Sequence, residues 1–177
     1  MAILKIIFFP ITLVWWLIKL VANQFNKIFI GRFFKGVTIS KIDALTGEEF
    51  EDVCALIFKY AGYTVQKTGG SGDYGADLVV SKRFKIVVQA KLYYKHGVGN
   101  HSVQEVTSAL KYYKADFACV ITNWKYTNNA KTIAQIQNVI LINRDDIIQF
   151  LLDVKNKTKL SKIFNLTKHF KANVQQV

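Results

Sequence analysis

Three polar side chains interrupt two apolar segments of the chain, and their chemical types could act together. Asp77 opens the segment DLVVS, and Gln89 and Lys91 lie within the segment KIVVQAK. Both segments are rich in valine and isoleucine, which predicts β-strands at about 77–81 and 85–92. Because side chains alternate between the two faces of a strand, we expect Gln89 and Lys91 to share one face.

The connection between these two strands decides whether Asp77 meets Gln89. A three-residue connection at 82–84 would place Asp77 directly across from Gln89, whereas a two-residue turn would shift the register by one residue. In the first register, a carboxylate and an amide oxygen lie within reach of one shared cation. Taken singly, an aspartate after a glycine-rich loop is usually a turn residue, and a lysine on a strand is usually a surface residue.

Hydrolysis of a phosphodiester needs the functional groups that this set contains. A divalent cation prefers oxygen ligands and bridges to a phosphate oxygen, and a neighbouring ammonium neutralises developing charge or orients the attacking water. Asp77 and Gln89 would supply oxygen ligands, and Lys91 would supply the ammonium. A further acid could come from the preceding helix, where Glu51 is favoured among four acidic residues, Glu48, Glu49, Glu51 and Asp52.

The elements that must position these residues alternate between helices and strands. Thr46 and Glu49 are spaced as a capping box, which predicts the start of the first helix of the domain. The pattern continues as α-β-β-β-α-β-α-β-α, which indicates an α/β fold with a mixed β-sheet flanked by helices. The predicted helices lie at about 47–61, 102–114, 127–138 and 145–155, and the predicted strands at about 63–67, 77–81, 85–92, 117–122 and 139–143.

The chain resembles the Mrr-type restriction endonuclease domain of the PD-(D/E)-x-K nuclease superfamily in three segments, TGEEFEDVCALIFKYAGYTVQKTGGSGDYGADLVV, VVQAKLYY and VGNHSVQEV. The resemblance covers about residues 45–152, and the order of its features makes it specific. Those features are Phe50-Glu51, Gly62-Tyr63, the loop residues Ser71-Gly72-Asp73, Gly75, Asp77, Gln89, Lys91-Leu92-Tyr93 and Val98-Gly99. The resemblance implies a restriction-endonuclease-like fold and a DNA endonuclease that uses Mg²⁺, with Mn²⁺ as an alternative ion.

Carried over by position, the resemblance implies a catalytic set of Asp77, Gln89, Lys91 and Glu51, with the metal held by Asp77, Gln89 and Glu51. Gln89 stands where much of the superfamily has an acid, which lowers the charge of the ligand set. Leu92 stands where the family has arginine, and Lys95 is a candidate substitute for contact with phosphate. The further candidates for DNA contact are Ser71, Gly72, His101 and Gln104, for which a solvated surface position is the alternative.

The N-terminal segment AILKIIFFPITLVWWLIKLVA, at 2–22, is apolar all round and long enough as a helix to cross a hydrocarbon core. Trp15 and Trp16 suit a membrane interface. More basic residues follow the segment than precede it, which predicts an anchor in a bacterial inner membrane with the following domain in the cytoplasm. A helix that lies flat on the membrane, a cleaved signal peptide and a soluble core helix are the alternatives.

The charge of the chain points to a polyanionic partner. The formal net charge is +12, which suits nucleic acid or an anionic membrane surface and does not choose between them. The segment 154–177 contains six lysines and no acid, which predicts a basic amphipathic helix or a disordered terminus. Cys54 and Cys119 each lie among apolar residues, so buried free thiols are expected rather than a disulfide framework.

These observations divide the chain into three parts. We expect a membrane-anchor helix with a basic juxtamembrane segment at 1–40, an Mrr-like nuclease domain at 41–153 and a basic tail at 154–177. The expected function is that of a membrane-associated, Mg²⁺-dependent DNA endonuclease in type IV restriction, defence or DNA turnover, acting as a single chain or as a homodimer. The alternative is a non-catalytic, membrane-tethered DNA-binding module on a nuclease fold, which Gln89 and Leu92 favour.

Overall fold

A computed structural model of the chain describes residues 2–69 and 74–161, with the backbone alone for 2–12, 14–17, 19 and 23. The described helices are α1 (Ala2–Lys35), α2 (Ile39–Asp43), α3 (Gly47–Tyr60), α4 (Asn100–Tyr113), α5 (Asn128–Ile136) and α6 (Arg144–Asn156). The described strands are β1 (Thr64–Lys67), β2 (Leu78–Ser81), β3 (Lys85–Lys91), β4 (Phe117–Thr122) and β5 (Val139–Ile142). From α3 onward, this order confirms the predicted alternation of helices and strands.

The strands form one mixed sheet in the order β1-β2-β3-β4-β5. The first three strands pair antiparallel, and β3, β4 and β5 pair parallel. The parallel pairs require crossover connections, which the helices α4 and α5 provide. Ser81 pairs with Lys85 and Leu78 with Val88, which confirms the register of a three-residue connection at 82–84.

Two apolar clusters cover the two faces of this sheet. On one face, Leu78, Ile86 and Val88 pack with α3, α6 and the end of α1. On the other face, Val87 and Val120 pack with α4 and α5. Because Val87 faces α4 and side chains alternate along β3, Gln89 and Lys91 are placed on the α4 face at the end of the strand.

The capping box predicted at the start of α3 is present. The Thr46 hydroxyl oxygen accepts a hydrogen bond from the Glu49 N–H at 3.3 Å, and the Glu49 carboxylate accepts one from the Thr46 N–H at 2.8 Å. The hydrogen bond from the Thr46 backbone lowers the pKa of Glu49. This reciprocal cap sets the first turn of α3, and therefore the direction in which Glu51 leaves the helix.

The end of α1 belongs to the folded domain. Ile30 and Phe34 are buried in the α3–α6 cluster, and the rings of Phe34 and Phe150 meet edge to face with centroids 5.0 Å apart. Gly31 lets the helix approach α3, because an added Cβ would lie 3.0 Å from the ring of Tyr60. Burial of a side chain such as Phe34 contributes about 2 kcal/mol, so the core extends N-terminally of residue 41.

Membrane insertion of α1 was predicted from residues whose side chains mostly lie outside the described part of the chain. Among the residues that the structure describes, no helix has the length and apolar character needed to cross a membrane. The amphipathic helix predicted within 154–177 falls largely on residues 162–177, which also lie outside the described part. Within the described part, Val154 is buried, and the Ser161 N–H donates to the Asp153 carboxylate at 2.8 Å.

Candidate active site

Asp77 and Gln89 meet at the end of the β2–β3 pair. The Asp77 N–H donates to the Val88 carbonyl at 2.9 Å, which continues the ladder one residue beyond β2. One Asp77 carboxylate oxygen, Oδ2, accepts the Gln89 Nε2 at 2.5 Å and the Ala90 N–H at 2.7 Å. Gln89 is only 5% exposed. A buried amide and a strand backbone therefore fix the carboxylate at the sheet edge.

The loop before Asp77 is held at both of its ends. The Thr68 N–H donates to the Asp77 carbonyl at 3.0 Å, and the Thr68 hydroxyl donates to the Ala76 carbonyl. Gly75 has φ +87°, and a Cβ added there would lie 2.4 Å from the carbonyl oxygen of Glu105. Only glycine permits this approach of backbone to backbone, so the loop packs directly on α4.

The packing of Gly75 on α4 brings Glu105 beside Lys91. Lys91 Nζ lies 3.1 Å from Glu105 Oε2, and His101 Nδ1 lies 3.2 Å from Glu105 Oε1. The side chains of Lys91 and Glu105 are 29% and 30% exposed, and Glu105 Oε2 is itself buried. The Glu105 carboxylate therefore forms an ion pair with Lys91 and lies beside the His101 ring.

Glu105 is the residue of this site that the sequence reasoning missed. It is the only acidic residue between Lys91 and Asp116, a signal that was present in the sequence. Helical spacing alone gave no reason to connect it with Lys91. The connection depends on the distance between α4 and β3, which the contact at Gly75 sets.

Glu51 lies on α3, which packs on the face of the sheet opposite α4, and it pairs with Lys67 of β1. Its carboxylate lies 3.8 Å from Lys67 Nζ, and the nearer partner of that ammonium is Asp52 at 2.8 Å. Burial raises the pKa of the Cys54 thiol well above its usual range, and the charges of Cys119, Asp77 and Glu51 add to the rise. Asp77 and Glu51 therefore lie within electrostatic reach of one buried thiol.

The predicted DNA contacts are distributed around this edge of the sheet. Lys95 is exposed in the connection between β3 and α4, and Gln104 is exposed on α4. His101 is also exposed, and its ring pairs with Glu105. Ser71 and Gly72 lie outside the described residues. Contact of these residues with DNA stays a prediction.

The donors at the sheet edge suit one divalent cation. Mg²⁺ is commonly bound through one or two carboxylates, with water and substrate phosphate as its other ligands. Asp77 provides a carboxylate, and Gln89 provides an amide oxygen once its amide turns, since its NH₂ group now faces Asp77. Among the described residues, no three His, Cys, Asp or Glu side chains group together as metal ligands.

Comparisons with known proteins agree with this fold. The family model Mrr_cat, described as a restriction endonuclease, matches residues 42–151. The DNA modification-dependent restriction endonuclease AspBHI is similar in structure, with a TM-score of 0.50, 16% identity, and 85% of this chain and 40% of that chain covered. None of the curated proteins matches.

Two further solved structures are similar over part of their length. The MspJI restriction endonuclease in complex with a 27-mer oligonucleotide has a TM-score of 0.46 and 16% identity, over 82% of this chain and 35% of that chain. The protein of unknown function AF1548 has a TM-score of 0.48 and 12% identity, over 53% of this chain and 56% of that chain. The chain therefore matches between 35% and 56% of the length of these three structures.

Proposed function

Because the chain belongs to the Mrr_cat family of restriction endonucleases, we propose that it is a metal-dependent endonuclease. Its reaction would be the hydrolysis of DNA phosphodiester bonds. The observation that carries the proposal is the contact between Asp77 and Gln89 across the β2–β3 pair. Lys91 follows Gln89 by two residues and lies on the same face of the strand. An acid, an amide and an ammonium thus converge where the two strands separate.

Each side chain has a separate role in the proposed reaction. Asp77 and Gln89 hold the cation, and Glu51 is a further predicted ligand from α3. The chemistry that a bound Mg²⁺ supplies is neutralisation of phosphate charge and activation of a water molecule. The Lys91 ammonium binds the scissile phosphate and stabilises the charge that develops on it.

Glu105 offsets the missing charge at Gln89. A glutamine at this position leaves Asp77 as the one carboxylate on the two strands at the site. The Glu105 carboxylate, 3.1 Å from Lys91, adds a second negative charge and holds the ammonium toward the sheet edge. We infer that this pairing lets a neutral ligand at position 89 remain compatible with cleavage.

Membrane association is a further part of the proposal. The apolar sequence of 2–22 supports it, together with the exposure of Phe25, Ile28 and Phe29 on α1, at 70%, 67% and 77%. We propose that α1 attaches the nuclease domain to the cytoplasmic side of a bacterial inner membrane, where the domain meets DNA. Restriction of foreign DNA and turnover of DNA are both compatible with this placement.

The test is nicking of methylated and unmethylated plasmid DNA by the full chain, with Mg²⁺ and then with a chelator. Cleavage should stop when the metal is removed. Lys91→Ala should lower the cleavage rate about 10²–10³-fold, the usual loss when one electrostatic stabiliser of a transition state is removed. Lys111→Ala, which removes an exposed lysine of α4, is the matched control and should cleave normally.

Two results would contradict this proposal. Undiminished cleavage by a folded Lys91→Ala protein would remove Lys91 from the chemistry. Metal-independent binding of DNA without any cleavage would favour the non-catalytic tether, because a nuclease fold can be retained for binding alone.

A further inference from the structure

A second charged region lies at the opposite end of the domain from Asp77. Two adjoining clefts of about 520 Å³ and 260 Å³ are formed by α1, the C-terminal ends of α3 and α6, and the β2–β3 turn. Lys27 and Tyr60 line both of them. We name this region the basic cleft, after its six cations Lys27, Arg32, Lys35, Lys82, Lys157 and Lys159.

Among the residues that the structure describes, no acidic side chain balances the charge of the basic cleft. No acidic residue lines either cleft, and no ion pair involves any of the six cations within residues 2–69 and 74–161. The C-terminal ends of α1, α3 and α6 lie at the clefts and account for about half a negative charge each. Helix dipoles therefore offset roughly one and a half of the six positive charges, which leaves the lining residues with a net positive charge.

Two contacts hold parts of this charge in place. Lys27 Nζ lies 5.6 Å from the centre of the Tyr60 ring, in the range of a cation–π contact. Lys82 Nζ donates to the Ala61 carbonyl at 3.3 Å. The side chains of Lys27 and Lys82 both line the smaller of the two clefts.

The position of the basic cleft separates it from the DNA-cleaving edge. Strand β3 begins near Lys82 and ends at Lys91, and its own length is about 20 Å. Helix α3 also extends between the two regions, because Glu51 lies near the start of the helix and Tyr60 at its end. The basic cleft therefore lies at the other end of β3 from Asp77 and Gln89.

The apolar residues beside the cleft indicate which polyanion it takes. Ile28 lines the cleft itself and is 67% exposed, and Phe25 and Phe29 are exposed within one turn of it. Along α1, the exposed apolar side chains come first, and Arg32 and Lys35 follow them. A membrane surface has the same order, because its acyl chains lie below its phosphate headgroups. Nucleic acid has no such apolar layer.

We propose that the basic cleft binds the phosphate headgroup of an anionic phospholipid. This inference rests on the membrane association in the proposed function. It adds a headgroup preference and a fixed orientation to that association, with the basic cleft against the bilayer. The Asp77 edge then faces away from the membrane and is open to DNA.

The test compares flotation of the full chain with vesicles of phosphatidylcholine alone and with vesicles that also contain phosphatidylglycerol. The native chain should prefer the second. A double variant, Arg32→Gln with Lys35→Gln, should lose this preference roughly thirtyfold, because each cation at an anionic surface contributes about a fivefold factor. Lys111→Gln with Lys131→Gln removes the same charge from α4 and α5 and should keep the preference.

Three further measurements decide between the sources of phosphate. The preference should survive inorganic phosphate at constant ionic strength, and plasmid nicking by the double variant should be unchanged. Loss of the preference to inorganic phosphate would overturn the lipid assignment in favour of free phosphate. An equal loss of affinity for a DNA duplex in the double variant would overturn it in favour of nucleic acid.

The failures of the two proposals are distinguishable. Equal binding of the native chain to both kinds of vesicle would overturn only the proposal that the basic cleft binds a phospholipid headgroup. An equal loss of the vesicle preference in the two double variants would have the same consequence. Binding to neither vesicle would overturn the membrane association as well. The nuclease proposal would be untouched by either result, because plasmid cleavage tests it separately.

Discussion

Two polar clusters lie at the same edge of the sheet, and they differ in how completely their groups are paired. The active-site cluster contains Asp77, Gln89, Lys91 and Glu105. The second cluster, which we name the Asp43 cluster, contains Asp43, Asn123 and Arg144. Both are at this edge because β3, β4 and β5 run parallel, so that their carboxyl ends meet there.

The Asp43 cluster pairs its groups fully and closely. Arg144 donates to both Asp43 oxygens, at 2.7 and 2.9 Å. Asn123 is fully buried, donates to Asp43 and to the Tyr93 carbonyl at 2.9 Å each, and accepts the Tyr93 N–H at 2.8 Å. These bonds join α2, the end of β3, the end of β4 and the start of α6.

The active-site cluster is arranged differently. Lys91 and Glu105 form an ion pair at 3.1 Å, and their side chains are 29% and 30% exposed. The Gln89 amide presents its NH₂ group to Asp77, although its oxygen is the atom that a cation would bind. Folding therefore completes the Asp43 cluster, whereas the ion pair of the active-site cluster is partly exposed and the Gln89 amide must turn before its oxygen can meet a cation.

Asn123→Ala should break the Asp43 cluster and give the largest loss of stability. The change removes three hydrogen bonds and leaves the Tyr93 N–H and carbonyl without these partners, which should lower the free energy of unfolding by about 2–3 kcal/mol. Urea unfolding measures the loss. Cleavage per folded molecule should persist, because Asn123 contacts none of the proposed catalytic residues.

Asn129→Ala is the matched control for this prediction. Asn129 is exposed on α5, and its replacement should change the free energy of unfolding by less than about 0.5 kcal/mol. Equal stability of the two variants would show that the Asp43 cluster contributes little to the fold.

Glu105→Gln should have the opposite effect, a loss of activity without a loss of stability. Removing the charge leaves Lys91 without its ion pair, and we expect the cleavage rate to fall about tenfold, which is about 1.4 kcal/mol. The pair is partly exposed, so unfolding should change by less than about 1 kcal/mol. Glu48→Gln, an exposed position on α3, is the control and should cleave normally.

A stability loss in Glu105→Gln as large as that of Asn123→Ala would remove the distinction between the clusters. Full retention of cleavage by Glu105→Gln would show that Glu105 does not offset the neutral Gln89.

The pH dependence of stability should show the smallest effect. The hydrogen bonds from Arg144 hold the pKa of Asp43 below its usual value of 3.8. Since the folded pKa is the lower one, Asp43 adds stability above about pH 3.9, and this contribution is lost as the pH falls through the folded pKa. Burial raises the pKa of Asp146, so its contribution has the opposite sign and is lost as the pH rises.

Asp43→Asn tests this assignment. The variant should be less stable than the native chain near neutral pH, by less than about 1 kcal/mol for a pair that is partly exposed. It should also lose less stability on acidification. If urea unfolding shows that both proteins lose the same free energy of unfolding on acidification, Asp43 does not titrate as described.

Local signals predicted much of this molecule from its sequence. The alternation of apolar residues gave the order of the elements, and the spacing of Thr46 and Glu49 gave the start of α3. The short connection limited the β2–β3 register to two choices, and the structure shows the one that joins Asp77 to Gln89. Each of these signals acts between near neighbours in the chain, or between strands that one short turn connects.

The features that the sequence did not predict depend on distant contacts. Asp43 and Arg144 are 101 residues apart, and the five-residue helix that presents Asp43 has no periodic pattern of its own. Glu105 meets Lys91 only because Gly75 lets the loop pack on α4. Neither contact follows from spacing, since each depends on how separate elements dock in three dimensions.

The central claim is that Asp77 and Gln89 bind a divalent cation. The most direct measurement is isothermal titration of Mn²⁺ into the native chain, Asp77→Asn, and the control Asp52→Asn, which removes an exposed acid beside Lys67. We expect a single ion to bind to the native and Asp52→Asn proteins, and the affinity to fall at least about tenfold in Asp77→Asn. Undiminished Mn²⁺ binding by a folded Asp77→Asn protein would contradict it.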